Sequence, residues 1–237
     1  MPRKRMSRVA CALLTLLSTC CICVRGSGEP PPTKLPSFPD QFSATLVTIA
    51  HQVDKTRDYP PWKQVLHIDY DFPGGRARIN ATEGFHAGKL FLRRYDTKRE
   101  YMIRGGDFAE CQRSYLGEDM PKSTVRNSPA SFQGWEVLPD GPLAEHWVED
   151  RGRQRLHIYI TGDGGQRVPY QLIDEYLANG KEGQLSEPVM TYTFHNMSVS
   201  EPAETAFGLP TPYSHKTCNR EIGGQPYLHL FSAFLMV

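Results

Sequence analysis

Histidine, cysteine and acidic side chains are the groups in this sequence that could do chemistry, and their spacing argues against most kinds of site. The eight histidines stand in no HExxH, HxH or CxxC setting, so a metal site has no local support. No GxSxG, P-loop or GxGxxG stretch is present. The sequence therefore predicts no metal, no cofactor and no catalytic motif.

Two candidate catalytic groupings remain, and each has a simpler explanation. Cys111 with a histidine could form a nucleophilic pair, but no flanking motif supports it and a disulfide with Cys218 would consume the thiol. Glu145 and His146, next to Trp147, could serve an enzyme that handles acids or carbohydrates. Acidic residues on a solvated strand edge explain the same stretch, so we predict that the chain is not an enzyme.

The first 26 residues predict a secretory signal peptide. The basic stretch MPRKRMSR precedes an apolar run from Val9 to Val24, and small residues follow it. This run is shorter than the roughly 20 residues of a membrane-spanning helix, although an uncleaved anchor is the alternative. Removal of the signal takes away five basic residues and no acid, which leaves 22 basic against 26 acidic side chains. No basic patch is visible, so nucleic-acid binding is not expected.

Two cysteines and two glycosylation sequons fit a secreted or lysosomal protein. The signal segment holds four of the six cysteines, so only Cys111 and Cys218 remain. A single disulfide is their expected use in a secreted domain, with two unrelated thiols as the alternative. Asn80 and Asn196 each begin an Asn-x-Ser/Thr triplet and are predicted glycan acceptors.

The rest of the sequence divides into a lead-in and one β-rich domain. Residues 27–41 are proline-rich and should be extended. Residues 42–237 suffice for a single domain with a sizeable core. Alternation with a period of two is clearest in PVMTYTFHNMSV (188–199). Short turns predict an antiparallel meander of this strand with QFSATLVTIAHQ, VLHIDYDF, RARIN, KLFLRRYD, REYMIR, SFQGWEVL, AEHWVED, RLHIYITG and RVPYQLIDEYL.

Two stretches also allow helix. DFAECQRSYLGEDMP (107–121) can hold a short helix that ends near Gly117. QLIDEYLANG has a helical pattern with a glycine stop, but an extended Arg-Val-Pro-Tyr precedes it and a hairpin partner follows, so we predict strand there. The sequence therefore predicts a mainly β fold with one or two short helices.

Six aromatic side chains are candidates to line an apolar ligand cavity. A curved sheet can use such residues to hold an apolar molecule, or simply to fill its core. The six are Trp135, Trp147, Tyr159, Tyr170, Tyr192 and Phe194.

The order of several segments resembles the N-terminal extension of certain papain-family cysteine proteases, of the insect haemocyte proteinase and slime-mould counting-factor-associated cathepsin type. The segments are VLHIDYDFPGGRARIN, a cysteine after a hairpin, FQGWEVLPDG, RLHIYITGDGGQRVPYQLIDEY, VMTYTFHNM and a second cysteine before Gly-Gly. The content is also similar to the ependymin and LolA-like folds. Those resemblances imply a curved antiparallel half-barrel that cups a hydrophobic ligand, with Cys111 and Cys218 tying the sheet to the tail.

The resemblance does not carry protease activity to this chain. In those proteases a catalytic domain with a Gly-Ser-Cys-Trp-type motif follows the extension, and no such motif occurs here. The apolar stretch PYLHLFSAFLMV at residues 226–237 is then expected to be the last pairing segment of the domain, or the start of a connection to a protease domain. It is too short to cross a bilayer.

The sequence as a whole predicts a secreted or lysosomal, glycosylated, non-catalytic binding domain. Its expected ligand is an apolar or lipid-like molecule, or else a protein partner. The alternative is a prodomain-like regulatory half of a papain-type cysteine protease whose catalytic domain lies outside this chain.

Overall fold

Twelve strands account for most of the residues that the computed structural model describes, which are 32–51, 61–120, 122, 130–139, 141–150, 152, 154–163, 166–176 and 187–221. The predicted signal peptide and the apolar stretch at 226–237 lie outside these residues. The strands are β1 Gln41–Ala50, β2 Trp62–Asp71, β3 Arg76–Glu83, β4 Lys89–Arg94, β5 Arg99–Arg104, β6 Glu110–Tyr115, β7 Ser131–Val137, β8 Leu143–Asp150, β9 Gln154–Asp163, β10 Gln166–Tyr176, β11 Glu187–Ser198 and β12 Asn219–Arg220.

All twelve strands belong to one open, curled sheet made of two antiparallel meanders. Strands β1 to β6 form the first meander and β7 to β11 the second, and the pairing of β1 with β11 joins them. The short strand β12 adds to β6 in parallel through two residue pairs. The prediction of a mainly β fold with a curved antiparallel half-barrel is confirmed.

The two faces of the sheet follow from the period-two pattern of its strands. In β1, Phe42, Ala44 and Leu46 are buried, whereas the intervening side chains are half-buried. Because successive side chains of a strand point to opposite faces, this pattern fixes which face turns inward. We call the face that carries Phe42 and Leu46 the inner face, and the other the outer face.

The inner face holds the main hydrophobic core. Strands of both meanders contribute to one continuous cluster, as expected when a sheet curls around its own side chains. Phe42 stacks on Tyr70 with ring centroids 5.3 Å apart, and Phe38 meets Phe194 edge to face at 5.6 Å. The cluster members from the sheet include Leu46, Ile68, Ile79, Phe91, Met102, Trp147, Ile158, Leu172 and Phe194.

The described part of the proline-rich lead-in, residues 32–40, contains no helix or strand but takes part in this core. Phe38 is only 2% exposed, and Leu35 packs against the same cluster. Arg167 of β10 donates to the Lys34 carbonyl oxygen at 3.1 Å, which ties the lead-in to the second meander. The core therefore begins before the predicted domain start at residue 42.

A segment after β11, residues 201–218, covers the outer face of β4, β5 and β6. Phe207 lies in a 3₁₀ turn (Glu204–Phe207) and is 1% exposed among Leu92, Tyr101 and Ile103. A disulfide joins Cys218 at the end of this segment to Cys111 of β6, and both sulfurs lie in the same cluster. We call residues 201–218 the strap.

A charged cluster fixes the start of the strap to the first meander. Arg76 pairs with Asp71 on one side and with Glu204 of the strap on the other, and its guanidinium lies 4.6 Å from the centroid of the Phe207 ring. Asp71 also accepts hydrogen bonds from Gln41 Nε2 at 2.9 Å and from the Gly74 backbone at 3.0 Å. These contacts hold the pKa of Asp71 below its ordinary value despite an opposing effect of burial.

Of the two stretches that also allowed a helix, the structure contradicts the helix in the first and confirms the strand predicted in the second. The stretch 107–121 contains a 3₁₀ turn, Gly106–Phe108, followed by strand β6, rather than a helix that ends near Gly117. Pairing with β5 gives this stretch backbone partners and turns Cys111 towards Cys218, so tertiary contacts override local helix propensity. The stretch around Gln171 to Tyr176 is strand, as predicted. The helical content of the described residues is two 3₁₀ turns, and none of their helices is long and apolar enough to cross a membrane.

Removal of the disulfide should destabilise the fold strongly, because the bond closes a loop across 107 positions. For a loop of this size the chain-entropy argument gives about 4 kcal/mol of stabilisation. We expect Cys111→Ala/Cys218→Ala to lower the free energy of unfolding by about 2–5 kcal/mol in urea titrations. A reductant should lower the stability of the wild type and leave that of the double variant unchanged. Equal stability of oxidised and reduced wild type would contradict the assignment.

Candidate functional site

The six aromatic residues predicted to line a ligand cavity do not share one face. Trp147, Tyr192 and Phe194 lie in the inner core and are at most 8% exposed. Trp135 is half-buried on the edge strand β7, opposite Glu145, and its ring centroid lies 6.2 Å from that of Phe132. Four of the six therefore belong to the inner face or its rim.

The other two aromatic residues, Tyr159 and Tyr170, lie on the outer face. Both pack in a small separate cluster with Leu138 and Ala144. A register shift between Pro169 and Gln171 changes the alternation of β10 at the position of Tyr170. Simple period-two counting could not have assigned this residue to a face.

The inner face carries two buried polar groups that have no partner among the described residues. Thr48 of β1 is 1% exposed and Gln64 of β2 is 3% exposed, and the two residues stand directly opposite each other. Neither Thr48 Oγ1 nor Gln64 Nε2 has a hydrogen-bond partner within that part of the chain. On its other side Thr48 faces Tyr192 of β11, where burial and, to a lesser extent, Asp174 raise the pKa of the phenol. This row makes one part of the aromatic interior polar.

Glu145 points to the inner side of β8 and is fully engaged there. Its carboxylate accepts from Trp147 Nε1 at 2.9 Å and from Arg167 Nε at 2.7 Å. The residue is 5% exposed. A carboxylate held by an indole and a guanidinium in this way stabilises the packing of β8 against β10.

His146, the next residue, points to the outer face and is part of a hydrogen-bonded row across four strands. His146 Nδ1 lies 2.9 Å from a carboxylate oxygen of Glu136 on β7, and His146 Nε2 lies 2.9 Å from His157 Nδ1 on β9. The row ends with His157 Nε2 at 3.0 Å from a Glu175 carboxylate oxygen on β10. We call these four residues the Glu-His-His-Glu row.

Proton counting shows how this row is satisfied. Three hydrogen bonds need three protons, whereas two neutral imidazoles and two carboxylates supply only two. All three bonds form together when one of the two imidazoles carries a second proton and donates from both of its nitrogens, while the other ring donates only to its own carboxylate partner. Burial is the largest cause that lowers the pKa of His146, and the charge on His157 adds to it against the opposing effect of Glu136. The phenol of Tyr159 stacks on His146 at 4.7 Å, and burial, with a smaller effect of Glu136, raises the pKa of Tyr159 to about 12.

The opposite directions of Glu145 and His146 bear on the hypothesis of an acid- or carbohydrate-handling enzyme. That hypothesis needs both groups at one substrate, yet neighbouring residues of β8 point to different faces of the sheet. The structure therefore separates the proposed pair, and each residue has its own partners.

A third feature is a cavity of about 300 Å³ between the β4–β5 turn, β6, the strap and β12. Four cationic side chains line it, together with a histidine and hydroxyl groups. The lining residues are Thr97, Lys98, Arg99, Arg113, Ser114, Tyr115, His215 and Arg220. We call this site the cationic cavity.

Sequence reasoning missed the cationic cavity. Its cations come from three separate parts of the chain, namely the adjacent pair Lys98 and Arg99, then Arg113, then Arg220. Only the pairing of β6 with β5 and β12 brings them together. No signal of spacing or composition could have found them.

The sequence is not matched by any protein-family model, nor by any curated protein. Among solved structures, the chain is similar to the crystal structure of an uncharacterized conserved protein from Thermus thermophilus. The identity is 10% and the TM-score is 0.47, over 77% of this chain and 91% of that chain.

Two further expectations concern modification and metals. Asn80 lies half-buried on β3, whereas Asn196 is exposed on β11 and has a positive φ of 51°. Glycosylation of either residue stays a prediction. Over the ranges that the structure describes, no group of three or more His, Cys, Asp or Glu side chains is arranged to hold a metal ion.

The Glu-His-His-Glu row should make stability depend on pH. Because the pKa of His146 in the folded chain lies below its ordinary value of 6.5, the unfolded chain takes up a proton that the folded chain resists as the pH falls through 6.5. We expect the free energy of unfolding to decrease from pH ~7.5 to pH ~5. This decrease should be smaller in His146→Gln, as measured by urea titrations at each pH.

His195→Gln is the matched control for that measurement, because His195 is exposed on β11 and lies outside the row. It should keep the pH dependence of the wild type. A decrease in stability that is as large in His146→Gln as in the wild type would contradict the role of His146.

Proposed function

We propose that this chain is a non-catalytic binding domain whose inner face holds an apolar ligand with a polar head. The observation that carries the proposal is the adjacent pair Thr48 and Gln64, whose Oγ1 and Nε2 atoms are buried without hydrogen-bond partners in the described part of an aromatic interior. Each such orphan group costs about 1–3 kcal/mol relative to a satisfied one. A ligand that accepts from them removes this cost.

The chemistry of the pair defines the polar head of the ligand. Gln64 Nε2 is a donor, and the hydroxyl of Thr48 can donate or accept. A carboxylate or hydroxyl head group suits both. The neighbouring side chains Leu46, Leu66 and Phe194 are apolar and belong to the same buried cluster, so the surroundings of the pair suit an apolar molecule. A fatty acid or another lipid-like carboxylic acid is the simplest molecule of this kind.

The proposal includes a cellular location for the domain. The predicted signal peptide, the paired cysteines and the two sequons support a secreted or lysosomal location. The prodomain of a papain-type protease remains the second candidate, supported by the order of the sequence segments. Reading the transcript beyond codon 237 distinguishes the two, because only the second candidate needs an open frame that continues into a Cys-Trp motif.

Replacing the polar pair with apolar side chains of similar shape should separate binding from stability. In Thr48→Val/Gln64→Met we expect the affinity for a fluorescent fatty acid to fall at least about tenfold, because two head-group hydrogen bonds are lost. The melting temperature of the ligand-free protein should stay the same or rise, since buried unsatisfied groups are removed. Fluorescence titration and thermal unfolding measure the two effects.

Thr45→Val is the matched control, because Thr45 lies on the outer face of the same strand and bonds to His67. It should bind the probe like the wild type. Organic extraction of the purified protein followed by mass spectrometry provides an independent arm. A protein that carries no extractable lipid and takes up no fluorescent fatty acid would refute the proposal.

A further inference from the structure

The cationic cavity concentrates positive charge that the described part of the protein does not neutralise. Among the described residues, Lys98 is the one of its four cations that has an ion pair, with Asp119 at 2.5 Å, and the Asp119 side chain is 96% exposed. Arg99, Arg113 and Arg220 have no carboxylate partner among the described residues. None of the described residues that line the cavity is acidic.

The strand register places these charges in unfavourable positions. Arg220 of β12 stands directly opposite Arg113 of β6, and Arg99 stands opposite Arg94 in the pairing of β5 with β4. Like charges that face each other across a pair of strands destabilise a sheet. Arg94 is neutralised by Asp96, but the pair of Arg113 and Arg220 has no such counter-charge among the described residues.

Two features hold this charge in place. Arg113 Nε donates to the Cys218 carbonyl oxygen at 3.0 Å, and an Arg113 Nη1 hydrogen bond reaches the ring of His215. The disulfide from Cys111 to Cys218 fixes the start of β12 beside β6. The arginines therefore cannot separate fully without breaking the disulfide-anchored end of the strap.

The state of His215 agrees with a strongly positive environment. Its Nδ1 lies 3.0 Å from the Tyr101 hydroxyl oxygen. Desolvation, followed by the charges of Arg113 and Arg99, lowers the pKa of His215. The neighbouring arginines therefore disfavour a further positive charge on this imidazole.

The nearby carboxylates do not fill the cavity. Glu100 is completely buried on the inner side, where it accepts from Ser114 Oγ at 2.8 Å and pairs with Arg93. Glu118 also pairs with Arg93 rather than with a cavity residue. Glu100 and Glu118 are thus engaged with Arg93, and among the described acidic residues Asp119 alone forms an ion pair with a cation of the cavity, Lys98.

We propose that the cationic cavity binds a phosphate group, either as a free anion or as the phosphate monoester of a small molecule. Three guanidinium groups match a phosphate dianion, because arginine presents several donors in a planar fork that can engage two oxygens. A volume of about 300 Å³ exceeds a bare phosphate and falls at the lower end of the range for small-molecule sites. A phosphate that carries a small organic group fills it better than phosphate alone.

The test uses the full-length chain, with its disulfide intact, and three probes at one fixed ionic strength. Inorganic phosphate and glycerol 3-phosphate are titrated by calorimetry against a chloride blank, since screening alone can mimic weak anion binding. Vesicles of phosphatidic acid, compared with phosphatidylcholine vesicles, form the third arm. We expect saturable binding of both soluble anions, with glycerol 3-phosphate the tighter one.

Substitutions that remove single charges then test whether the anion binds in the cationic cavity. Arg99→Gln and Arg220→Gln should each weaken binding of glycerol 3-phosphate about tenfold, because each removes a charged donor. Arg104→Gln is the matched control. It removes the same charge from the other end of β5, where the guanidinium lies over the Phe108 ring, and it should bind like the wild type. Because Arg99 and Arg220 are exposed, both variants should fold.

The outcomes decide the proposal and the source of the phosphate. Binding to phosphatidic acid vesicles as well as to glycerol 3-phosphate indicates a lipid head group, and binding to the soluble anions alone indicates a soluble ester. Two results overturn the proposal: no response to either soluble anion beyond that to chloride, or an equal loss of binding in Arg104→Gln and Arg99→Gln.

Discussion

The pairing of β1 with β11 is the contact on which the rest of the structure depends. Each meander consists of local hairpins, but β1 hydrogen-bonds to β2 on one side and to β11 on the other. The partner residues Ala50 and Met190 are far apart in the sequence, so this pairing closes a very long loop. Without it there would be two separate sheets, each too small to bury its own apolar face, instead of one curled sheet around a common core.

The same pairing also decides which side chains can act together. A slip of one residue would exchange the inner and outer faces of a whole strand, so the burial of Phe42 and Leu46 fixes the register of β1. The three sites then separate by geometry. The unpartnered polar pair lies inside, the Glu-His-His-Glu row lies outside on the second meander, and the cationic cavity lies at the end where the strap returns to the sheet. Sequence neighbours such as Glu145 and His146 end up with unrelated partners.

Local pattern was enough to predict most strands and the overall architecture, because alternation and turn residues act over a few positions. Local pattern failed for the stretch 107–121, where pairing with β5 and the disulfide to Cys218 favour a strand over a helix. It also could not place Tyr170, since the irregular register of β10 changes the face of that side chain. The cationic cavity depends on three distant segments, and a single sequence does not contain that kind of information.

Both proposed binding sites carry an energetic cost that packing of the core does not explain. A protein under selection for stability alone would replace Thr48 and Gln64 with apolar residues, and would not place Arg220 opposite Arg113. Natural proteins are only marginally stable, so a few kcal/mol of such cost is a large fraction of the total. Binding of a ligand to the folded state returns stability in proportion to the logarithm of its concentration. The folded chain therefore carries unsatisfied hydrogen-bonding groups at one proposed site and unneutralised charge at the other, and a ligand that bound at either site would stabilise the fold.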